Sequence, residues 1–427
     1  MSTRSSDLSV ERSALNVERS GAAGSAVDSA NPWLGLASFT EESRAFFHGR
    51  DEEIAELSRR VQRKLLTVLF GQSGLGKTSI LRAGVVPRLR NEGYCPVYVR
   101  VDYGPGAPPP AEQIKQAVLR ATADAGTWTR PEASVAGETL WEFLHHRDDV
   151  LRDASGRTLT PLIIFDQFEE IFTLGQSDES GRERAAQFKE ELADLVENRA
   201  PGALEEKLEH DDTIIERYDF SRSDYRILIS LREDYLPHLD TLKGRMPSIT
   251  QNRMRLARMT GTQALEAVVK PGGALVTADV ARAIVEFVAG ARGGSVERLA
   301  EIDVEPPLLS VICRELNDRR RALDQPQITA EMVTGNRREI LTDFYERSVA
   351  DLPEPMRRFV EDKLLTKSGF RDNLALETAL EEPGVTKPLI DTLVSRRLLR
   401  LEDRLGTQRV ELTHDVLAEV IRASRDA

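Results

Sequence analysis

Eight consecutive residues, Gly71-Gln-Ser-Gly-Leu-Gly-Lys-Thr78, set three glycines, a lysine and a hydroxyl at the spacing G-x-x-x-x-G-K-T. The chemistry that suits this combination is the holding of a polyphosphate. Glycines at 71, 74 and 76 admit backbone angles closed to other residues, so successive N–H groups can turn inward around an anion. Lys77 brings a point charge to the outer phosphates, and the Thr78 hydroxyl is a hard oxygen ligand suited to Mg2+. Such a loop needs a strand before it and a helix after it. The apolar run Leu65-Leu-Thr-Val-Leu-Phe70 precedes it and the helix-like Ser79-Ile-Leu-Arg-Ala83 follows. The helix start would add unpaired N–H groups and its positive dipole end. A glycine-rich turn with no ligand is the plain alternative, and the flanking elements weigh against it. Gly71, Gln72, Ser73, Gly74, Leu75, Gly76, Lys77, Thr78 and Ser79 are therefore expected to line a nucleoside triphosphate, with Thr78 also a metal ligand.

Two further runs carry chemistry. In Leu162-Ile-Ile-Phe-Asp166-Gln-Phe-Glu169-Glu170 a buried strand ends in a carboxylate. In a parallel sheet that end lies beside the phosphate loop, where Asp166 can hold Mg2+ directly or through water. Glu169 and Glu170 follow, placed to polarise a water for attack on the γ-phosphate, and spacing does not choose between them. The third run is Ile227-Leu-Ile-Ser-Leu-Arg232-Glu-Asp234. A strand lying between the other two would aim Arg232 at the γ-phosphate, where a fixed guanidinium can tell triphosphate from diphosphate. An ordinary strand-end arginine paired with Glu233 or Asp234 accounts for it equally well. No Asn/Thr-Lys-x-Asp guanine motif is present, so adenine is the expected base.

The elements that must position these residues follow from the rest of the chain. At 427 residues it exceeds one compact core and calls for several domains. A formal charge of −12 argues against broad electrostatic adhesion to nucleic acid or anionic lipid. The two cysteines, Cys95 and Cys313, sit between apolar neighbours and read as buried thiols. No apolar run approaches the roughly 20 residues of a membrane span, and the N-terminus has no apolar signal core. A cytoplasmic location is expected.

Residues 1–30 are half Ser, Ala or Gly and read as a disordered tail, with a transient helix over Val10–Val17. Residues 31–245 alternate apolar strands with helical segments, the pattern of a parallel α/β sheet. Strands are predicted at Leu65–Phe70, Val97–Val101, Leu162–Phe165 and Ile227–Leu231. An amphipathic helix is predicted through Phe188, Leu192, Leu195 and Val196, and an acidic surface insertion at Glu205–Asp219. Residues 246–345 lose the strand signal and read as a helical lid, with helices at Ala264–Val269, Val280–Ala289 and Leu308–Arg319. Residues 346–427 predict helices at 355–366, 373–381 and 386–397. A hairpin from Leu398–Leu401 to Arg409–Leu412 and a final helix after Thr413 complete a winged-helix order. That stretch holds 14 Lys+Arg against 16 Asp+Glu. Protein packing therefore suits it better than DNA recognition.

Taken in order, Asn31-Pro-Trp-Leu-Gly-Leu36-Ala-Ser-Phe39, Phe46-Phe-His-Gly-Arg-Asp51, the phosphate loop and Phe165-Asp-Gln-Phe-Glu-Glu170 resemble the bacterial novel STAND NTPases. These are signal-transduction ATPases related to the NACHT and NB-ARC switches. The resemblance implies a P-loop NTPase sheet of the AAA+-like kind, a helical lid and a winged helix. It places Phe47, Gly49 and Arg50 over the adenine and ribose, with Asp51 where the family has Glu. Pro307, in Glu305-Pro-Pro-Leu-Leu309, would contact adenine, although the family's glycine is missing. Leu412-Thr-His-Asp415 is similar to the Met-His-Asp motif, so His414 would touch the ADP β-phosphate; a helix start capped by Thr413 is the plainer reading. The implied ligands are ATP or ADP with Mg2+. The implied behaviour is a slow hydrolase that self-associates in the ATP state and works with a separate effector or sensor protein. The competing expectation is an AAA+-like ATPase acting on DNA through its winged helix.

Overall fold

The computed structural model describes residues 27–35, 37–102, 107–129, 137–173, 179–211, 213–290, 299–334, 337–366, 372–396, 398–404, 407–412 and 415–425. The expected helix at Val10–Val17 and the expected contact of His414 lie outside them.

Strands in chain order are β1 Leu66–Gly71, β2 Tyr94–Val99, β3 Thr127–Thr129, β4 Val150–Arg152, β5 Thr160–Phe165, β6 Arg226–Arg232 and β7 Arg253–Arg255, then β8 Met259–Thr260, β9 Asp303–Val304, β10 Asn373–Ala375, β11 Leu399–Arg404 and β12 Thr407–Leu412. Five of them build the central sheet in the order β2-β5-β6-β1-β7, each neighbour pair parallel. Parallel strands need cover on both faces, which is why their sequences read as near-continuous apolar runs. In β5, Leu162 and Ile164 enter one hydrophobic cluster while Ile163 and Phe165 enter the other. The helix Asp51–Arg63 and the helix after the phosphate loop cover the first face through Leu57, Val61, Ile80 and Leu81. Helices Pro110–Ala125 and Glu179–Glu197 cover the second through Ile114, Val118, Phe188 and Leu192.

Four strands fall where the apolar runs predicted them, and three departures have physical reasons. The sheet continues past residue 245, because β7 pairs with β1 inside the stretch expected to be helical. With only Met254 buried between two arginines, this short edge strand leaves no apolar run to read. The acidic stretch 205–219 is more than a surface insertion. Tyr218 is buried with Trp141, and Leu208 and Ile214, from the helices Gly202–Leu208 and Ile214–Arg217, pack against the same cluster. The helix expected over 373–381 is β10 followed by the shorter helix Leu376–Glu381, since β10 pairs with β12, a partner far away in sequence.

Beyond the sheet, helices Gly261–Gly272, Ala278–Val288 and Pro306–Ala322 form a helical unit, hereafter the lid, in the stretch expected to hold one. The C-terminal unit has helices Glu354–Lys363, Leu376–Glu381, Lys387–Ser395 and Asp415–Arg425, with a sheet in the order β10-β12-β11. Lid and C-terminal unit share one hydrophobic cluster that runs from Val285 and Ile312 to Phe359, Val410 and Ile421. The segment before the first helix is a strap between units. Trp33 inserts into that shared cluster, Asn317 Nδ2 donates to the Ala30 carbonyl at 2.7 Å, and the Phe39 amide donates to Ser79 Oγ at 3.1 Å. Among the described residues no helix is long and apolar enough to cross a membrane.

Candidate nucleotide site

A cleft of about 930 Å3, counted out to solvent, opens where the strap, the phosphate loop, the ends of β5 and β6 and the start of the lid helix Pro306–Ala322 meet. Its position follows from the sheet: loops leaving the C-terminal ends of adjacent parallel strands converge on one edge. Gly74 (φ 85°) and Gly76 (φ 89°) adopt the left-handed backbone that turns the loop. A Cβ on Gly71 would lie 2.6 Å from the Leu256 carbonyl oxygen, so the loop's first residue needs glycine for room. Lys77 Nζ folds back on the loop and donates to the Gly71 and Gln72 carbonyls at 2.8 and 3.0 Å. Burial lowers its pKa, opposed by the charges of Glu169 and Asp166.

Thr78 Oγ1 donates to Asp166 Oδ2 at 2.8 Å, joining the loop to the end of β5. The half-buried Tyr98 hydroxyl donates to the same oxygen, and Gln167 N donates to Oδ1 at 3.1 Å. Burial pushes the Tyr98 phenol far above its usual range, aided by the Asp166 charge, so it stays a donor. Arg82 lies 4.4 Å over the Tyr98 ring. Sequence reading missed Tyr98, because its approach to Asp166 depends on β2 and β5 being neighbours. No three His, Cys, Asp or Glu side chains cluster as metal ligands among the described residues. The Thr78 hydroxyl and Asp166 carboxylate nonetheless fit Mg2+, a hard cation that takes few protein oxygens and completes its shell with water and phosphate.

The two glutamates separate. Glu170 pairs with the exposed Arg100, 2.6 Å away, and does not line the cleft. Glu169 lines the cleft and accepts the Arg232 amide N–H at 3.3 Å. Burial raises the Glu169 pKa, against the lowering effects of Lys77 and Arg232. Arg232 closes β6, which lies between β5 and β1, and pairs in register with Gly71. Its guanidinium is taken: Nε donates to Asp234 Oδ1 at 3.1 Å and Nη2 donates to the Leu401 carbonyl of β11 at 2.7 Å.

Phe39, Phe47, Met259, Pro306 and Pro307 supply the apolar part of the lining. Phe39 closes the Asn31–Phe39 stretch that carries the family resemblance but was given no role there, and Met259 carries no motif. Gly49 faces the lid instead: at φ 80° its missing Cβ would stand 2.2 Å from the Gln263 carbonyl oxygen. Arg50 touches the cleft, but its buried guanidinium is spent on Glu53 at 2.7 Å, on the Ala257 carbonyl at 2.9 Å and on the Leu75 carbonyl. It ties the phosphate loop to the lid connection.

No curated protein matches the chain in sequence. Solved structures similar to it include the Cdc6p protein of Pyrobaculum aerophilum (13% identity, 88% of this chain and 94% of that one, TM-score 0.40). The ORC1 protein of Aeropyrum pernix in complex with DNA is similar at 15% identity, 89% and 95% coverage and TM-score 0.44. The RuvB Holliday junction branch migration motor of Thermotoga maritima is similar at 12%, 88% and 95%, with TM-score 0.40. Likeness at this level says nothing of what this chain binds. The family profile described as Novel STAND NTPase 1 matches residues 32–420. Since that span takes in the strap, the sheet, the lid and nearly all of the C-terminal unit, the chain belongs to the Novel STAND NTPase 1 family.

Proposed function

We propose that this protein is an ATP/ADP-dependent signal-transduction switch that binds Mg-ATP, hydrolyses it slowly and thereby controls self-association or the binding of a separate effector. The observation that carries this reading is the double engagement of Arg232. It stands in register with the first residue of the phosphate loop, yet its guanidinium holds the Leu401 carbonyl of the C-terminal hairpin. A γ-phosphate beside Lys77 would compete with Leu401 for that guanidinium, which Asp234 also holds, because an ionised acceptor binds a guanidinium more strongly than a neutral carbonyl does. The nucleotide then favours one arrangement by binding it more tightly, since equal affinity for both would shift nothing. Thr78 and Asp166 would hold Mg2+, which supplies charge neutralisation at the phosphates. Glu169 would accept the proton of the attacking water, and His414 would touch the β-phosphate in the ADP state.

The test is molar mass by light scattering in ADP and in a non-hydrolysable ATP analogue with Mg2+. Wild type is expected to be larger with the analogue, Arg232→Ala to lose the difference, and His414→Ala to associate even with ADP. One mass for wild type in both nucleotides refutes the switch. The second reading, an AAA+-like ATPase acting on DNA, rests on the helix-and-hairpin order of the C-terminal unit, read as a winged helix. It requires steady turnover stimulated by DNA at low salt, which the switch does not show.

A further inference from the structure

The lining of the cleft is of two kinds. The phosphate loop offers amides and Lys77, while Phe39, Phe47, Met259, Pro306 and Pro307 offer carbon. Prolines fill the first two positions of the lid helix Pro306–Ala322. That helix start therefore lacks two of the N–H donors with which other helix starts hold anions. A flat ring suits it and a phosphate does not. The same helix brings a polar side chain to the cleft beside the prolines. Ser310 lies on the same helix face as Pro306 and Pro307, four and three residues on, and lines the cleft with them. Its Oγ is closed to solvent and has no hydrogen-bond partner among the described residues. A serine in a helix usually satisfies its hydroxyl on the carbonyl one turn back, and this one does not. An unpaired buried hydroxyl is unfavourable until a ligand supplies the partner.

We propose that Ser310 is the base-reading residue of the site, its hydroxyl bonding the 6-position edge of a purine held against the prolines and phenylalanines. This rests on the nucleotide reading above only in taking the occupant to be a nucleotide. A hydroxyl both donates and accepts. It therefore serves a 6-oxo group, by donating, as well as a 6-amino group, by accepting. The site takes 6-amino and 6-oxo purines with little discrimination, and loses affinity when the 6-substituent is absent.

Calorimetric titration of the full chain with ADP, inosine diphosphate and purine riboside 5′-diphosphate, which lacks a 6-substituent, tests this in wild type and Ser310→Ala. For wild type, ADP and inosine diphosphate should bind within about threefold of each other and the unsubstituted purine roughly 5- to 10-fold more weakly. Ser310→Ala should weaken the first two by that factor and leave the third unchanged. Its ligand-free melting temperature should be no lower than wild type, because the substitution deletes an unpaired group. Equal losses for all three ligands, or no loss for any, overturn the assignment. So does a coupling seen with 2′-deoxy-ADP in place of the 6-position analogue, which would put the hydroxyl on the ribose. Failure of wild type to bind any of them sinks the nucleotide reading itself, a result distinct from binding without coupling.

Discussion

Glu169 and Glu170 are adjacent in the chain and equal in chemistry, yet the structure gives them different surroundings. Arg100 pairs with Glu170, while Glu169 lines the cleft with Lys77 and takes the Arg232 amide. If Glu169 is the base, Glu169→Gln should lower single-turnover phosphate release by about 10²- to 10³-fold with nucleotide affinity nearly kept, and Glu170→Gln should stay within about threefold. Equal effects of the two would show that the surroundings do not assign the role. A pH profile gives a second check. Burial holds the Glu169 carboxyl above its ordinary value of 4.5, and only the ionised form accepts a proton. Turnover should thus fall as pH drops through that raised value, with the acid limb lying above pH 4.5. The limb should be missing from the residual activity of Glu169→Gln. At this scale the phosphate loop and Asp166 were legible, because spacing alone fixes what a backbone turn and a strand-end carboxylate can do. The choice between the glutamates was not, since Arg100 lies seventy residues from Glu170 and reaches it only through the pairing of β2 with β5.

Among the elements, the strap and the first helix join the units. Gly49 passes the lid so closely that a methyl group would strike the Gln263 carbonyl, on a backbone already left-handed. Gly49→Ala should destabilise the protein by about 2 kcal/mol or more, from the left-handed penalty and the displaced lid contact. Chemical denaturation would measure it, and a neutral result would mean that the lid can move aside at no cost. The sequence marked this glycine through family resemblance and set it over the nucleotide; the fold sets it under the lid. The short β7 and β10 were likewise hidden. Each has three residues and owes its conformation to a partner strand rather than to its own pattern.

Across the whole molecule, the hydrophobic clusters show which units share a core. The sheet keeps one cluster on each face, while lid and C-terminal unit share a third. These two should therefore open together. Phe359→Ala, which empties part of the shared cluster, should speed hydrogen exchange in the lid helix Ala278–Val288 as well as in β12 while leaving β5 and β6 protected. Exchange confined to the C-terminal unit would refute a shared core. A body that moves as one gives the Arg232 contact with Leu401 leverage over more than the hairpin. The sequence by itself determined the phosphate loop, the carboxylate that follows a buried strand, and a parallel α/β sheet ahead of helices and a hairpin. All of these are written in local spacing and in the period of apolar residues. Only the tertiary structure decided that β6 lies between β5 and β1, that Glu169 rather than Glu170 faces the cleft, and that Arg232 bridges to the C-terminal hairpin. Those outcomes depend on which distant elements become neighbours, and the free energy of burying their apolar faces fixes that for the chain as a whole.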